Sequence, residues 1–281
     1  MRHPVRAMRP PEDQDIPAPE FPPGTEWLNV PFLRLDTLMG RNAVLVEFWD
    51  FARINSLRTL PYLSAWHERY AERGLTVIGV HSPGYSFGRD SRTVTAAVDR
   101  LGVRYPVCLD PDFEVWRTYA VRGWPARFLF DRRGLLRWYH FGEGDYDGTE
   151  RAIQETLLEI DPELDLPEPL EPLRAEDAPG VVMEAQTADI ALPADRGRLE
   201  LVRDWLDGED YIEAADAGGA ATASFRAGSA WAVLSEGGLQ EPGLYETDGT
   251  VVAEHPGLRL HGFQFTPQPE TARAPEAGEP V

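Results

Sequence analysis

The chain contains one cysteine and no lysine among its 281 residues, and these two counts limit its chemistry. Cys108 cannot form an intramolecular disulfide, and a zinc site with several thiolate ligands is excluded as well. Without lysine, the chain cannot form a Schiff base or supply the lysine of a phosphate-binding P-loop. Cys108 lies in an apolar run between Pro106 and Asp110, which favours a buried structural thiol over a peroxide-reactive one.

The other candidate groups are histidines and carboxylates, and none has the spacing of a known site. His81 and His140 lack a partner four residues away, so no metal site is predicted. Glu143 and Asp145 flank a glycine before a helix, where capping is a more common role than acid–base catalysis. The acidic stretch at 207–216 lacks the EF-hand pattern, which favours a solvated loop. No Ser-His-Asp arrangement has the required sequence context, and no cofactor is predicted.

The net charge of −20 is distributed unevenly along the chain. Residues 161–281 hold seven arginines and 25 acids, whereas the first 160 residues are nearly neutral. This excess of negative charge argues against nucleic acid or an anionic membrane surface as a partner. The N-terminus lacks the apolar core of a secretory signal, and no apolar run reaches the roughly 18 residues of a membrane span. We therefore expect a cytoplasmic location without membrane insertion.

Residues 1–22 are rich in proline and charge, which predicts a disordered tail, and residues 23–160 then alternate strands with helices. The apolar run at 43–49 predicts a strand buried on both faces. Thr149 is the predicted N-cap of the last helix. Further strands are predicted at 75–80, 105–109, 127–131 and 135–141, and helices at 55–73, 93–101, 113–119 and 149–159. This order predicts an α/β domain with a mixed sheet.

The second half of the chain has a different pattern. Residues 161–180 are rich in proline and acids, which predicts a stiff, extended linker. From residue 181 to 267 short runs alternate between apolar and polar residues, which predicts a small all-β, sandwich-like domain. The apolar phase of the last run slips by one residue at Gly262, as a β-bulge would cause. Residues 268–281 are predicted to form a second disordered tail.

Residues 23–160 resemble the thioredoxin-like redoxins of the TlpA, ResA and DipZ type. The most specific matches are the strand end Val46–Trp49 leading into a helix, Pro61 inside that helix, and Trp124-Pro125 immediately before a strand. The strands that follow resemble the β-rich domain that is C-terminal to the redoxin domain in the DipZ group. The resemblance implies a thioredoxin-like fold and a cis peptide bond between Trp124 and Pro125.

In that family a Cys-x-x-Cys motif lies at the N-terminus of the first long helix, and the matching residues here are Arg53, Ile54, Asn55 and Ser56. Pro61 follows Ser56 by five residues, as the family's helix proline follows its second cysteine. An arginine is not a nucleophile at neutral pH, and a serine cannot form a mixed disulfide. The peroxidatic thiol of a peroxiredoxin would lie at the same turn and is absent too. The resemblance therefore implies that the catalytic thiols have been lost.

We expect a redox-inactive binding or scaffolding module that contacts a protein or peptide partner through the former active-site surface. The resemblance implies that this surface is formed by Trp49, Arg53, Asn55, Ser56, Trp124 and Pro125. A guanidinium beside a helix N-terminus favours an anionic group, although Arg53 is also consistent with a solvated replacement without a role. Two other functions stay open: an antioxidant or thiol oxidoreductase that uses Cys108 or a partner's thiol, and a ligand-binding function in the β domain.

Overall fold

The computed structural model describes residues 9–11 and 14–270, and the first half of the chain folds around a six-stranded mixed sheet. Its elements are β1 (Trp27–Leu28), α1 (Leu35–Leu38), β2 (Ala43–Trp49), α2 (Ile54–Tyr70), β3 (Leu75–His81), α3 (Ser91–Arg100), β4 (Val107–Leu109), α4 (Glu114–Thr118), β5 (Ala126–Phe130), β6 (Leu136–Phe141) and α5 (Tyr146–Ile160). The strand order is β1-β4-β3-β2-β5-β6. This is the predicted α/β class.

Strand β2 lies at the centre of the sheet, and all seven of its residues are buried. It pairs with β3 in parallel and with β5 antiparallel, so its carboxyl end lies next to the end of β3. Leu45 and Trp49 point into the core cluster that holds α2, α3 and α5, while Val46 and Phe48 point into the cluster on the other face. A strand covered on both faces favours apolar residues at nearly every position, and Glu47 is the one charged residue of β2.

The start of α5 differs from the prediction. The helix begins at Tyr146, and its N-cap is Asp145 instead of Thr149. Thr149 lies one turn inside the helix, where its Oγ1 donates a hydrogen bond to the carbonyl oxygen of Asp145. A threonine can satisfy its hydroxyl in this way within a helix, so its type alone does not fix the helix start.

The predicted disorder of the N-terminal tail is wrong for residues 14–22. The amide of Leu136 donates to the carbonyl oxygen of Ile16, and the amide of Ala18 donates to that of Gly134. Phe21 is buried in the core cluster of the sheet. The segment therefore packs along the β5–β6 hairpin, because its few apolar side chains find a cluster to join. Residues 1–8, 12 and 13 lie outside the described residues.

Residues 161–180 also pack against the first half, a contact that the prediction of a stiff, extended linker did not include. Leu164, Leu166 and Leu170 contact its core. The amide of Leu170 donates to buried Glu150, and Arg174 forms an ion pair with Glu143. The prolines of this segment suggested stiffness and its acids suggested self-repulsion. Its leucines instead recur often enough to pack against the core of the first half.

The second half is the predicted all-β domain, made of two antiparallel sheets around one apolar core. Its strands are β7 (Ile190–Ala191), β8 (Leu199–Val202), β9 (Trp205–Asp207), β10 (Ile212–Ala214), β11 (Ala220–Ala223), β12 (Ala230–Glu236), β13 (Gly243–Thr247), β14 (Thr250–Val252) and β15 (Leu258–Phe265). The larger sheet has the order β13-β12-β15-β10-β9, with β7 also paired to β15, and the smaller has the order β14-β11-β8.

Two details of this domain bear on the predictions. The β12–β15 register shifts between Val233 and Leu234, and the extra residue opposite that step is His261, beside the predicted Gly262. The predicted C-terminal tail begins too early, because the amide of Glu270 pairs with the carbonyl oxygen of Val182. Residues 271–281 lie outside the described residues. No described helix has the length and apolar character to cross a membrane.

Candidate functional site

The turn between β2 and α2 is organised by the buried carboxylate of Asp50. One of its oxygens accepts a hydrogen bond from the amide of Ala52 at 2.7 Å, and the other accepts one from the amide of Gly84. His81 lies 3.7 Å away at the end of β3. Burial acts to raise the pKa of Asp50, but the hydrogen bond and charge of His81, together with Arg53, outweigh it and lower the pKa. The turn is therefore built around a fixed negative charge.

Arg53 is the N-cap residue of α2, and it is half-buried. Its guanidinium lies 4.5 Å from the ring centre of Tyr85 and 4.9 Å from that of Trp124. A Cβ atom on Gly84 would lie 2.7 Å from Nε of Arg53 and 2.6 Å from Oδ2 of Asp50, so only glycine fits there without a shift. Arg53 therefore fills the space beside the turn as a cation between two aromatic faces. It is not the solvated replacement that was one interpretation of the sequence.

The predicted site residues divide into an inner and an outer group. Trp49 and Ser56 are fully buried, and Pro125 is buried behind the turn. Trp49 packs edge-on against His81, while Oγ of Ser56 accepts a hydrogen bond from the amide of Asp50 at 3.2 Å. The resemblance placed Trp49 on the surface, which is wrong. Its side chain continues the alternation of β2 into the core, as the packing role common for a large aromatic residue near a strand end would have it. The hydroxyl of Ser56 is also buried, and its hydrogen bond stabilises the turn.

The outer group consists of Arg53, Asn55 and Trp124, all half-buried. The indole Nε1 of Trp124 donates to the carbonyl oxygen of Ser82 at 2.9 Å, which fixes the ring beside the turn. The peptide bond between Trp124 and Pro125 is cis. Of the six predicted surface residues, these three therefore lie where a partner could touch them.

The β domain covers part of this surface, which the sequence did not predict. Gln264 of β15 is 2 % exposed, and its side-chain oxygen accepts a hydrogen bond from the amide of Ile54 at 2.8 Å. Its Nε2 donates to the carbonyl oxygen of Ala52 at 2.7 Å and to the hydroxyl of Tyr85 at 3.1 Å. The available signal was a glutamine between two buried phenylalanines, but Ile54 lies 210 residues away in sequence and no local pattern connects them.

A second contact between the halves centres on His261. Its ring lies edge-on to Tyr85 and Phe87 of the first half, with ring centres 5.5 and 4.9 Å apart. The side chain of Asp210 accepts a hydrogen bond from the amide of Ser86 at 2.6 Å. Val233 of β12 joins the core cluster of the first half. The two halves therefore share an interface with both apolar and polar contacts.

His261 also completes a Ser-His-Asp arrangement that the sequence did not reveal. Oγ of Ser235 lies 2.8 Å from Nε2 of His261, and Oδ1 of Asp210 lies 3.3 Å from Nδ1. Burial acts to raise the pKa of Asp210, but its hydrogen bonds to His261 and Ser86 lower it overall. Ser235 and His261 are 3 % and 1 % exposed beneath aromatic rings, so a substrate carbonyl cannot reach the hydroxyl. In this conformation the arrangement orients a buried imidazole.

Cys108 lies at the centre of β4, fully buried in the core cluster that also contains Val46. Burial raises the pKa of its thiol well above the usual range, and the nearby charge of Asp110 raises it further. Because the thiolate is the nucleophile, both effects suppress reaction with peroxide or a disulfide. These observations favour the structural interpretation of this thiol.

The histidines and carboxylates considered from the sequence do not converge on a metal site. Within residues 9–11 and 14–270, no group of three or more His, Cys, Asp or Glu side chains could hold a metal ion. Burial, aided by the charge of Arg127, lowers the pKa of His140 to about 4. Glu143 forms an ion pair with Arg58, and Asp145 is the N-cap residue of α5 without a side-chain capping hydrogen bond. These groups therefore serve the packing around α5.

The chain is similar to several known proteins. Residues 29–139 match the AhpC/TSA family. DipZ of Mycobacterium tuberculosis is 39% identical over 155 residues, which are 54% of this chain and 22% of DipZ. The thiol-disulfide oxidoreductase YkuV of Bacillus subtilis is 23% identical over 145 residues, covering 52% of this chain and 97% of YkuV. A thiol-disulfide isomerase structure from Corynebacterium glutamicum has 25% identity and a TM-score of 0.46, covering 50% of this chain and 96% of its own.

The matched region thus spans about a fifth of DipZ but nearly all of YkuV. The central β2-α2-β3 unit, the β5–β6 hairpin and the final helix α5 lie in the order typical of a thioredoxin-like fold. The N-terminal half of the chain has a thioredoxin-like fold, and we call it the redoxin half below because residues 29–139 within it match the AhpC/TSA family.

Proposed function

We propose that this chain is a redoxin-fold binding module that does not catalyse thiol–disulfide exchange by itself. The observation that carries the proposal is the residue set at the α2 N-terminus, where Arg53 is stacked between two rings and Ser56 is buried against Asp50. In the resemblance described above, these two positions belong to the reactive cysteines. The domain keeps the fold that presents a redox site in the family it resembles, but a guanidinium and a hydroxyl lie at the positions of the two thiols.

Exchange of disulfides requires a thiolate that attacks sulfur and a second thiol that resolves the mixed disulfide. The guanidinium of Arg53 is a cation and not a nucleophile. The neutral hydroxyl of Ser56 is far less nucleophilic than a thiolate. Cys108 is the only cysteine of the chain and is buried with a raised pKa. No pair of thiols is available for the reaction, so the alternative function through Cys108 has no support from the geometry.

The proposed contact surface consists of Arg53, Asn55 and Trp124 together with the adjoining edge of the β domain. An aromatic ring and a guanidinium that are held in place offer a partner contact area at little entropic cost. We propose that the partner is a protein or a peptide. We also propose that this chain is located in the cytoplasm. Cell fractionation of the native protein would test the location.

The direct test measures insulin reduction with dithiothreitol. The full chain should not accelerate the reaction above the rate without protein. The matched variant carries Arg53→Cys and Ser56→Cys, which places two thiols at the same turn, and it should form a reversible intramolecular disulfide detected as a 2 Da mass change. Turnover by the unmodified chain comparable to that of an ordinary thioredoxin would overturn the proposal. If the double variant formed its disulfide and the unmodified chain stayed inactive, the side chains at this turn would account for the difference.

A further inference from the structure

The side-chain amide of Gln264 forms hydrogen bonds with two backbone groups of the turn between β2 and α2. The amide of Ile54 and the carbonyl group of Ala52 lie on either side of Arg53, and Gln264 accepts from the first and donates to the second. An extended peptide that adds to a backbone edge uses the same kind of donor and acceptor pair from its own main chain. Gln264 therefore satisfies the groups that such a peptide would need.

We propose that the surface formed by Ala52, Ile54 and Tyr85 recognises an amide, and that Gln264 is its resident ligand. An external partner would bind there by replacing Gln264 with an extended segment that presents a glutamine or a peptide amide. This inference rests on the proposed function, because it names the chemistry of the partner for the same surface.

The contacts around Gln264 fit a ligand that can be exchanged. The hydroxyl of Tyr85 accepts a hydrogen bond from Nε2 of Gln264 at 3.1 Å, and the amide of an incoming peptide could donate to it in the same way. The neighbouring contact between Ser86 and Asp210 is exposed to solvent, so water can replace it. A tethered ligand competes at an effective concentration on the order of millimolar, which weakens the apparent affinity for any external peptide. Removal of the Gln264 amide should therefore strengthen external binding.

The test uses the full chain and a synthetic peptide that copies residues 258–268. The first variant is Gln264→Met, which keeps the length of the side chain and removes both polar atoms. The matched control is Gln186→Met, since Gln186 donates its hydrogen bond to the carbonyl oxygen of Phe265, which lies on the same strand as Gln264. Hydrogen–deuterium exchange at the Ile54 amide and peptide binding by calorimetry are measured for each protein.

We expect exchange at Ile54 to be about tenfold faster in Gln264→Met, in line with the loss of one buried hydrogen bond, and unchanged in Gln186→Met. The peptide should bind Gln264→Met more tightly than the unmodified chain, and a peptide with leucine in place of its glutamine should not bind. Unchanged exchange at Ile54, equal binding to both proteins, or equal binding of the two peptides would each overturn the inference.

A second variant keeps the test decisive if Gln264→Met does not fold. Gln264→Glu retains an acceptor for Ile54 but cannot donate to Ala52, so Ile54 should stay protected while the peptide binds more tightly than to the unmodified chain. Peptide binding no tighter than that of the unmodified chain would overturn the inference. Insulin reduction on the same samples separates the two proposals, because turnover would overturn the redox-inactive function without changing the exchange at Ile54.

Discussion

The two halves of the molecule treat charge in opposite ways. The redoxin half is nearly neutral, yet it buries Glu47 and Arg127 completely in adjacent central strands. The β half carries most of the net negative charge. Its described arginine–carboxylate pairs lie near solvent, as in the pair of Arg259 and Glu213, whose side chains are each about a third exposed. A buried charge depends on one specific partner, whereas a solvated charge depends on none. Net charge therefore does not indicate where electrostatics matter for this fold.

The β half has its own buried polar residues, and they lie where it meets the redoxin half. Gln264 and His261 are both almost fully buried, and each contacts the loop that contains Tyr85. Buried polar groups are retained where hydrogen bonds satisfy them, so these residues define the interface more clearly than its apolar contacts do. Because water cannot replace the lost partner of a buried charge, we expect substitutions of buried charged residues to lower stability most.

The largest effect is expected for Arg127→Met. Arg127 donates to the carbonyl oxygen of Gly144 at 2.6 Å and to Oγ1 of Thr149 at 3.1 Å, and its Nε lies 3.5 Å from Glu47. Its loss leaves the Gly144 carbonyl and the Thr149 hydroxyl buried without their donor and removes the charge that faces Glu47, which should lower the free energy of unfolding by about 3–5 kcal/mol. Urea unfolding followed by tryptophan fluorescence measures this.

The control for that comparison is Arg259→Met in the β half. Because its pair with Glu213 is partly solvated, the loss should stay below about 1 kcal/mol. Equal losses for the two variants would show that burial does not distinguish the halves.

A second effect concerns pH and Glu47. Burial raises the pKa of Glu47 to about 8, against the opposing charge of Arg127, while the carboxyl of an unfolded chain titrates near 4.5. The folded protein therefore binds a proton that the unfolded chain has lost between these values. Stability from this group is fully present below pH 4.5 and is lost as the pH rises to about 8, by a few kcal/mol.

The measurement compares urea midpoints of the unmodified chain and Glu47→Gln from pH 5 to 8.5. The difference between the two proteins should change over that range, because glutamine does not titrate. His140, with its pKa lowered to about 4, contributes in the opposite direction below pH 6.5 and cancels in the difference. A pH-independent difference would contradict a raised pKa at Glu47.

The third effect concerns the turn itself. In Gly84→Ala the new Cβ would lie 2.6 Å from Oδ2 of Asp50 and 2.7 Å from Nε of Arg53, so both groups must move. Overpacking of this kind costs about 1–3 kcal/mol. We also expect a change in the fluorescence of Trp124 as the guanidinium shifts.

Gly123→Ala is the matched control, since nothing lies within 4 Å of the corresponding Cβ atom. If Gly84→Ala were as stable as this control, Arg53 would not be fixed by the turn in the way we describe.

The sequence predicted the redoxin half well because its signals are local. The apolar run of β2 and the spacing of Leu60, Leu63 and Trp66 in α2 follow from burial of neighbouring positions, and the structure has both elements. The alternating runs predicted in the β half were 198–202, 221–225, 230–234, 250–253 and 258–265, so β7, β9, β10 and β13 were missed. Each of them has five residues or fewer, and the last three carry acids that hide the alternation. The contact of Gln264 with Ile54 joins two distant segments, and one sequence contains no signal for such a pair.

The smallest effect is expected at Cys108, which tests whether the redoxin half retains a usable thiol. Cys108→Ala removes one buried atom from the core and should cost about 1 kcal/mol. In the native protein a maleimide should react only through opening of the core, so labelling should follow the rate of unfolding and become fast in urea. The variant is the control for labelling at other groups. Rapid labelling of the folded chain, or fast consumption of peroxide that disappears in Cys108→Ala, would show that the thiol is reactive in the folded protein. Slow labelling would leave the folded redoxin half without an accessible thiol, as the proposed redox-inactive function requires.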